Sequence, residues 1–326
     1  MAAIEKTLLG DIGGTNVRFA VLTGEDLGPV EHLPVANYRS LGGAIGDYLA
    51  HHGEGAAPDV ALLGVAGAIE HGHGFLVNSQ WEIDAAAIHD QYGIRSVHLL
   101  NDFEALAYSL PHLGRHDLRT IVGGKPPLGE SMAVLGPGTG LGMAGVVRRG
   151  DHMTVVPTEG GHTTLPGVTP REDAVIAQLR ARFGHASAER ALSGPGLENL
   201  HAAVAAVDGV TVPQRSAAEI TRLGLEGACP VCVETLDLFC AMLGTVAGDL
   251  ALMFRARGGV YIAGGIGPRI VDKLLQSDFH ARFTGKGRFR SYLERLPVAV
   301  IVNPDSAFQG LKALAAHVSD PAFPGS

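Results

Sequence analysis

Two glycine-rich turns, each entered from an apolar run, carry the residue types that grip phosphate. The first is Leu8-Leu9-Gly10-Asp11-Ile12-Gly13-Gly14-Thr15-Asn16, followed by the β-type stretch Val17–Leu22. The second is Ala133-Val134-Leu135-Gly136-Pro137-Gly138-Thr139-Gly140-Leu141-Gly142, followed by Met143–Val147. Each reads as strand, tight turn, strand. Glycine permits a positive φ and lets backbone N–H groups approach an anion closely, and threonine adds a hydroxyl donor. Two such hairpins suggest a duplicated domain that holds a polyphosphate from two sides. Neither is a Walker A loop, because no GxxxxGK[ST] string exists in the chain. Gly140-Leu141-Gly142-Met143-Ala144-Gly145 spells a dinucleotide fingerprint, but it leads into Val146-Val147-Arg148-Arg149-Gly150, which reads as a strand and turn rather than the helix that motif requires.

Four further strings could do chemistry, and each also has a plainer reading. Asn101-Asp102 falls where a strand ends and a helix begins. Asp102 either caps that helix or, from the carboxyl end of a strand, serves as a general base in attack on phosphorus. Glu159-Gly160-Gly161-His162 places a carboxylate and an imidazole on one turn, suited to a polyhydroxylated ligand or simply exposed. A zinc role is disfavoured, since no H-E-x-x-H and no further ligand sit nearby. Glu189, in Ser187-Ala188-Glu189-Arg190, reads alone as a helix-surface residue beside Arg190. Asn78-Ser79-Gln80-Trp81 holds the single tryptophan, a core residue by default. Cys229-Pro230-Val231-Cys232 opens a long helix. A structural zinc would need two more ligands, so the pair reads as small packed residues.

Composition narrows the class. The 326 residues exceed one ordinary core and favour two domains. The net charge is −8 and no basic run exceeds Arg148-Arg149, which argues against nucleic acid. Met1–Gly10 lacks a long apolar core and does not read as a signal peptide. Phe239–Phe254, interrupted by Asp249, reads as too short to span a bilayer. Three cysteines make no disulfide framework and fit a reducing cytoplasm.

The elements that must position these residues alternate in type. Strands are expected at Glu5–Asp11, Val17–Leu22, Val60–Val65, Val97–Leu100, Gly259–Ala263 and Val298–Val302. Helices are expected at Leu41–His51, Asp84–Tyr92 (Asp84 as N-cap), Phe103–Leu110, Arg171–Phe183, Ser187–Leu192, Ala217–Leu225, Val231–Arg255 and Ser306–Val318, the last capped by Asp305 or Ser306. Pro268 opens a further helix. Gly123–Gly129 reads as an exposed connection, and Pro111–His116 as a domain boundary.

Taken in order, these strings resemble bacterial glucokinase, of the sugar kinase, heat-shock ATPase and actin superfamily. Gly10–Thr15 with Asn16 and Arg18 looks like the first phosphate motif, and Gly136–Gly142 the second. Ile262-Ala263-Gly264-Gly265-Ile266 is similar to the adenosine motif, and Leu99-Leu100-Asn101-Asp102-Phe103 to the catalytic strand. After E-G-G-H the chain departs from its relatives, reading Thr163-Thr164-Leu165-Pro166-Gly167 where an aromatic residue and Ala-Pro are common. The C-x-C-G-x-x-G-C zinc cluster of repressor-type relatives is absent.

The resemblance implies an α/β chain of two RNase-H-like (actin-like ATPase) domains with an interdomain cleft. Residues 1–112 plus 302–326 would form the smaller domain and 113–301 the larger. It implies ATP-dependent phosphorylation of D-glucose at its 6-hydroxyl, with Asp102 as base. Asn78, Asn101, Glu159, His162 and Glu189 would bind sugar, with Trp81 lining the same segment. Gly10, Asp11, Ile12, Gly13, Gly14, Thr15, Gly138, Thr139, Gly140, Gly264 and Gly265 would bind the nucleotide. Mg²⁺ would be held by Asp11 through water. A cytoplasmic homodimer, with neither nucleic-acid nor membrane partner, is implied as well. Another hexose, polyphosphate as donor, or a non-catalytic sugar-sensing regulator are the alternatives.

Overall fold

The computed structural model describes residues 6–52, 57–67, 69–76, 81–124, 126–127 and 129–318. The chain divides into two compact units. The first comprises Met1–Gly114 and Asn303–Ser326, the second Arg115–Val302.

In the first unit the hairpin β1 (Lys6–Ile12) and β2 (Asn16–Thr23) is antiparallel, extended at its outer edge by β3 (Asp26–Leu27) and β4 (Glu31–Pro34). After α1 (Leu41–His52), β5 (Val60–Val65) adds parallel to β1. A small three-stranded sheet follows: β6 (Ile69–Glu70), β7 (His73–Phe75) and β8 (Glu82–Asp84). Then α2 (Ala85–Tyr92) leads to β9 (Ser96–Asn101), parallel to β5, and α3 (Asp102–Ser109) begins at once. Asp84 caps α2, its carboxylate accepting the Ala86 N–H at 2.8 Å. Every residue of Val60-Ala61-Leu62-Leu63-Gly64-Val65 is buried, as a strand covered on both faces requires. Leu8, Ile12, Ala61, Leu63 and Val65 pack with α1 and α2 residues on one face. Leu9, Val60, Leu62 and Leu100 pack on the other against Phe308, Leu311 and Leu314 of the last helix, Ser306–Ala315.

The second unit repeats the plan. β10 (Leu118–Val122) lies at one edge, and β11 (Met132–Pro137) and β12 (Leu141–Arg149) form the second glycine hairpin, with β13 (His152–Thr158) beyond it. Helices α4 (Pro170–Phe183), α5 (Gly194–Asp208), α6 (Ala217–Leu225) and α7 (Pro230–Met253) follow. β14 (Val260–Ile262) joins β11 in parallel. Short helices α8 (Val271–Gln276), α9 (Phe279–Thr284) and α10 (Arg290–Leu293) precede β15 (Val298–Ile301), parallel to β14, and the last helix is α11. The order β2-β1-β5-β9 thus recurs as β12-β11-β14-β15.

Three expectations need correction. Ser187–Leu192 is not a helix. Its backbone is claimed by the E-G-G-H segment, with Ala188 donating to Thr163 O and Glu189 to Gly161 O, both at 2.8 Å. The helix instead starts at Gly194, where Ser193 caps it and Pro195 sits in its first turn. Second, the apolar stretch is not too short to span a bilayer: α7 runs 24 residues, close to the expected bounds, and is long and apolar enough to cross a membrane, yet 78% of its apolar window is buried in the protein's own core. Gly244 and Gly248 let α9 settle on it, since a Cβ at either would meet the Phe279 or Phe283 carbonyl. Third, the hairpin-turn glycines Gly13, Gly14, Gly138 and Gly140 do not adopt positive φ. Close packing explains two glycines of these motifs: a Cβ on Gly10 would lie 2.6 Å from Leu63 Cδ2, and one on Gly140 2.6 Å from Glu189 Oε2.

Helix α11 meets α3 at Gly310, where a Cβ would collide with the Ala105 carbonyl oxygen and approach Ser109 N. Gly310→Ala would gain about 1 kcal/mol of helix propensity. Overpacking against rigid backbone costs about 1–3 kcal/mol and outweighs it. A lower urea midpoint than wild type is therefore expected; an unchanged or higher one would refute the close approach.

Candidate active site

The first half of the site follows from strand register. Asp11 pairs with Gly64 across β1/β5, and Gly64 with Leu100 across β5/β9. Asp11 and the Asn101-Asp102 step therefore stand at the carboxyl ends of parallel strands two positions apart in one sheet. At about 4.8 Å per strand their backbones are roughly 10 Å apart. Ligands of open α/β sheets sit at this edge. The intervening strand keeps it accessible to α3: Gly64 has no side chain, and a Cβ there would lie 3.1 Å from Ala105 Cβ and 3.7 Å from Asp102 Cα.

The expectation that Asp102 might cap α3 is corrected. Asn101 is the N-cap, its Oδ1 accepting the Phe103 N–H at 2.9 Å and the Glu104 N–H at 3.3 Å. Asp102 is the first helical residue, and its Oδ1 also accepts the Phe103 N–H at 2.9 Å. With Asn101 Oδ1 occupied by the helix, its amide NH₂ is the end that can donate to a ligand hydroxyl. A donor and an acceptor thus stand side by side at the strand end. Burial raises the Glu104 carboxyl pKa, two residues further in, against the Asn101 contact that lowers it.

Asp11 is tied from the opposite strand. Arg18 donates to Asp11 Oδ2 at 2.8 Å and to the Pro304 carbonyl at 2.7 Å. Burial pushes the Asp11 carboxyl pKa up, the Arg18 charge pulls it down, Asp305 adds to the rise and His32 opposes it; the net direction is upward. Gly13 closes the turn by donating to Asn16 O at 3.1 Å, and Thr15 is exposed. The Ile12 side chain lies fully in the core, so only its backbone can serve a nucleotide.

The second half lies in the second unit and is knit around Glu189. Its Oε2 accepts the Leu141 N–H at 2.9 Å, at the foot of the second hairpin. Its Oε1 lies 4.0 Å from His162 Nδ1, and His162 Nε2 lies 3.7 Å from Glu159 Oε2. Glu159 and His162 are exposed, and Glu189 is about one third exposed. Glu189 is therefore no helix-surface residue, as its sequence neighbourhood suggested. Gly161 lets the E-G-G-H turn lie against the hairpin, since a Cβ would strike the Leu141 carbonyl. Gly194 N–H donates to Gly138 O at 2.8 Å, tying α5 to the same hairpin. Beside it, Gly264 (φ +74°) is the one glycine of these motifs that needs the left-handed region, and a Cβ there would meet the Pro137 carbonyl. Gly265 and Thr139 are exposed.

Trp81 is buried in the first unit's core, as its default reading had it. Asn78 lies outside the described residues. The Arg18 clamp, the opening at Gly64 and the bond from Glu189 to the hairpin escaped sequence reasoning, because each joins residues distant in sequence through strand pairing or packing.

The chain matches known proteins over nearly its whole length. A family model described as Glucokinase matches residues 8–318. The chain is 43% identical over 320 residues to a glucokinase of Paramagnetospirillum magneticum, covering 97% of this chain and 98% of the relative. It is 44% identical to a glucokinase of Aromatoleum aromaticum, covering 93% and 92%. Its structure is similar to the crystal structure of a glucokinase from an Antarctic psychrotroph, with TM-score 0.85, 37% identity and coverage of 95% and 98%.

Proposed function

From the premise that this chain belongs to the glucokinase family, we propose how its residues divide the work of phosphoryl transfer. The enzyme catalyses ATP-dependent phosphorylation of D-glucose. We assign the 6-hydroxyl as acceptor: its oxygen forms a bond to the γ-phosphorus, the bond from that phosphorus to the ADP oxygen breaks, and the hydroxyl proton passes to Asp102. Asn101 donates to the sugar from the same strand end. Glu159, His162 and Glu189 take further hydroxyls, and Asn78 is carried over from the family resemblance. The turns Gly10–Thr15 and Gly138–Gly140 supply backbone N–H groups to the phosphates, and Gly264-Gly265 lies against the adenosine. The observation that carries this reading is the register placing Asp11 and Asp102 at one sheet edge, two strands apart.

A single carboxylate that gives one oxygen to Arg18 is a donor set suited to Mg²⁺, a hard cation that keeps several waters and relies on substrate phosphates for the rest. Asp11 would hold it through water. When bound, Mg²⁺ supplies neutralisation of the phosphate charge.

The direction of the Asp11 shift gives a test. A carboxyl whose pKa is raised by folding binds its proton more tightly folded than unfolded, so it favours folding at low pH and loses that contribution as pH rises through the folded value. At pH above its ordinary value the raised Asp11 carboxyl therefore costs stability. Asp11→Asn is expected to match or exceed the wild-type thermal midpoint at pH 7, the difference closing toward acid pH. Turnover should fall about 10–100-fold. A clear loss of stability at pH 7 would contradict this assignment.

The reading as a whole is tested by ADP release from purified enzyme across several hexoses, with ATP and polyphosphate compared as donors. Glucose with ATP is expected to give the highest kcat/KM. Glucose binding without ADP release would revive the sensor reading. The cytoplasmic homodimer implied by the family goes with this proposal, and sedimentation velocity checks the oligomer.

A further inference from the structure

Away from the residues of the transfer reaction, the second unit brings together three soft ligands. His201 projects from α5, Cys229 is the N-cap of α7, and Cys232 lies in its first turn. One imidazole nitrogen of His201 and the two Sγ atoms all lie within 4.8 Å of one another. His201 and Cys232 are buried and Cys229 partly so. The sequence reading of the cysteines as small packed residues did not foresee a histidine between them.

We propose that His201, Cys229 and Cys232 form a binding site for one soft divalent cation of the zinc class, separate from the magnesium-dependent transfer chemistry. A second observation points to a ligand: His201 Nε2 is buried with no hydrogen-bond partner. An orphaned buried nitrogen costs about 1–3 kcal/mol, and native proteins carry few of them. A metal bond would relieve it. Metal binding would release the thiol protons to solvent as thiolate–metal bonds form.

The donor set selects the ion. Two thiolates and an imidazole prefer Zn²⁺ or softer metals over Mg²⁺ and Ca²⁺. Three protein ligands leave a fourth position open, as in exchangeable rather than closed structural zinc sites. A cavity of about 360 Å³ borders His201 and is lined also by Glu198, Asn199, Gln214 and Arg215. The nearby Arg215 guanidinium works against a second cation, but Glu219 pairs with it. A redox reading of the C-x-x-C pair alone leaves the His201 nitrogen unexplained. Bound metal would fasten α5 to α7, and the start of α5 holds the second hairpin through Gly194 and Gly138.

The protein, reduced and stripped with a chelator, would be titrated with ZnCl₂ and with CoCl₂ in the absence of nucleotide. One Zn²⁺ per chain is expected, undisturbed by excess Mg²⁺, and Co²⁺ should give thiolate charge-transfer and tetrahedral absorption bands. His201→Ala and Cys232→Ser should each weaken Zn²⁺ binding at least tenfold, while Cys240→Ala leaves it unchanged. Metal-free melting curves and glucose turnover of each variant report folding, and His201→Gln replaces any variant that fails. Wild-type affinity equal to that of His201→Ala or His201→Gln, or a cobalt spectrum without thiolate bands, would overturn the site. Ready closure of a Cys229–Cys232 disulfide without stoichiometric zinc uptake after reduction would also overturn it.

Discussion

Replacing Asp102 by alanine is expected to lower glucose turnover by about 10²–10⁴-fold, the usual contribution of one general base, while glucose binding measured by calorimetry stays within a few-fold of wild type. The reason lies in how firmly the carboxylate is placed. Asn101 caps α3, so the first helical turn is pinned, and Asp102 begins it. Gly64 beneath and Gly310 behind let the helix sit close to the sheet and to α11. Asp102→Asn keeps the shape and removes the basic oxygen, so it should lose nearly as much turnover as alanine. A drop below tenfold in either variant would remove Asp102 from proton transfer. The predicted split, with kcat lost and binding kept, separates a base from a residue that merely holds the helix.

Glu189 is expected to reveal two tasks when substituted in two ways. In Glu189→Ala the Leu141 N–H loses its acceptor and the sugar loses a carboxylate. Each loss is worth about 1–3 kcal/mol, or roughly 5–150-fold. The KM for glucose and the KM for ATP should both rise, glucose by more than tenfold. In Glu189→Gln the amide oxygen can still accept from Leu141 while the other end becomes a donor. That variant should raise the glucose KM alone. Equal effects of the two substitutions on ATP would show that the 2.9 Å bond to the hairpin does not matter to the nucleotide.

The legible features were those whose signal is local. The glycine hairpins, the capping of α2 by Asp84 and the mixed α/β order of strands and helices came from short strings and periodicity, whereas the plan of two RNase-H-like domains came from the family resemblance. Ser187–Leu192 was misread because helix propensity lost to backbone bonds with Thr163 and Gly161. Helix α5 was missed because Ser193-Gly194-Pro195-Gly196 looks like a breaker, although Ser and Pro there are start signals. The cap on α3 moved by one residue, within the ordinary uncertainty of a helix end. The Arg18–Asp11 clamp and the His201 neighbourhood of the cysteines depend on which segments pack together, and no local pattern announces that.

The first unit is assembled from segments on either side of the second, with Phe308, Leu311 and Leu314 of α11 closing one face of a sheet whose strands are all made before residue 102. During synthesis on the ribosome that face stays uncovered until residue 314 has been added and α11 has left the tunnel. The intervening unit is whole earlier and can fold first, with a chaperone shielding the waiting strands. A nascent chain stalled short of residue 306 should accordingly be cut by protease in its leading segment and spared in its middle.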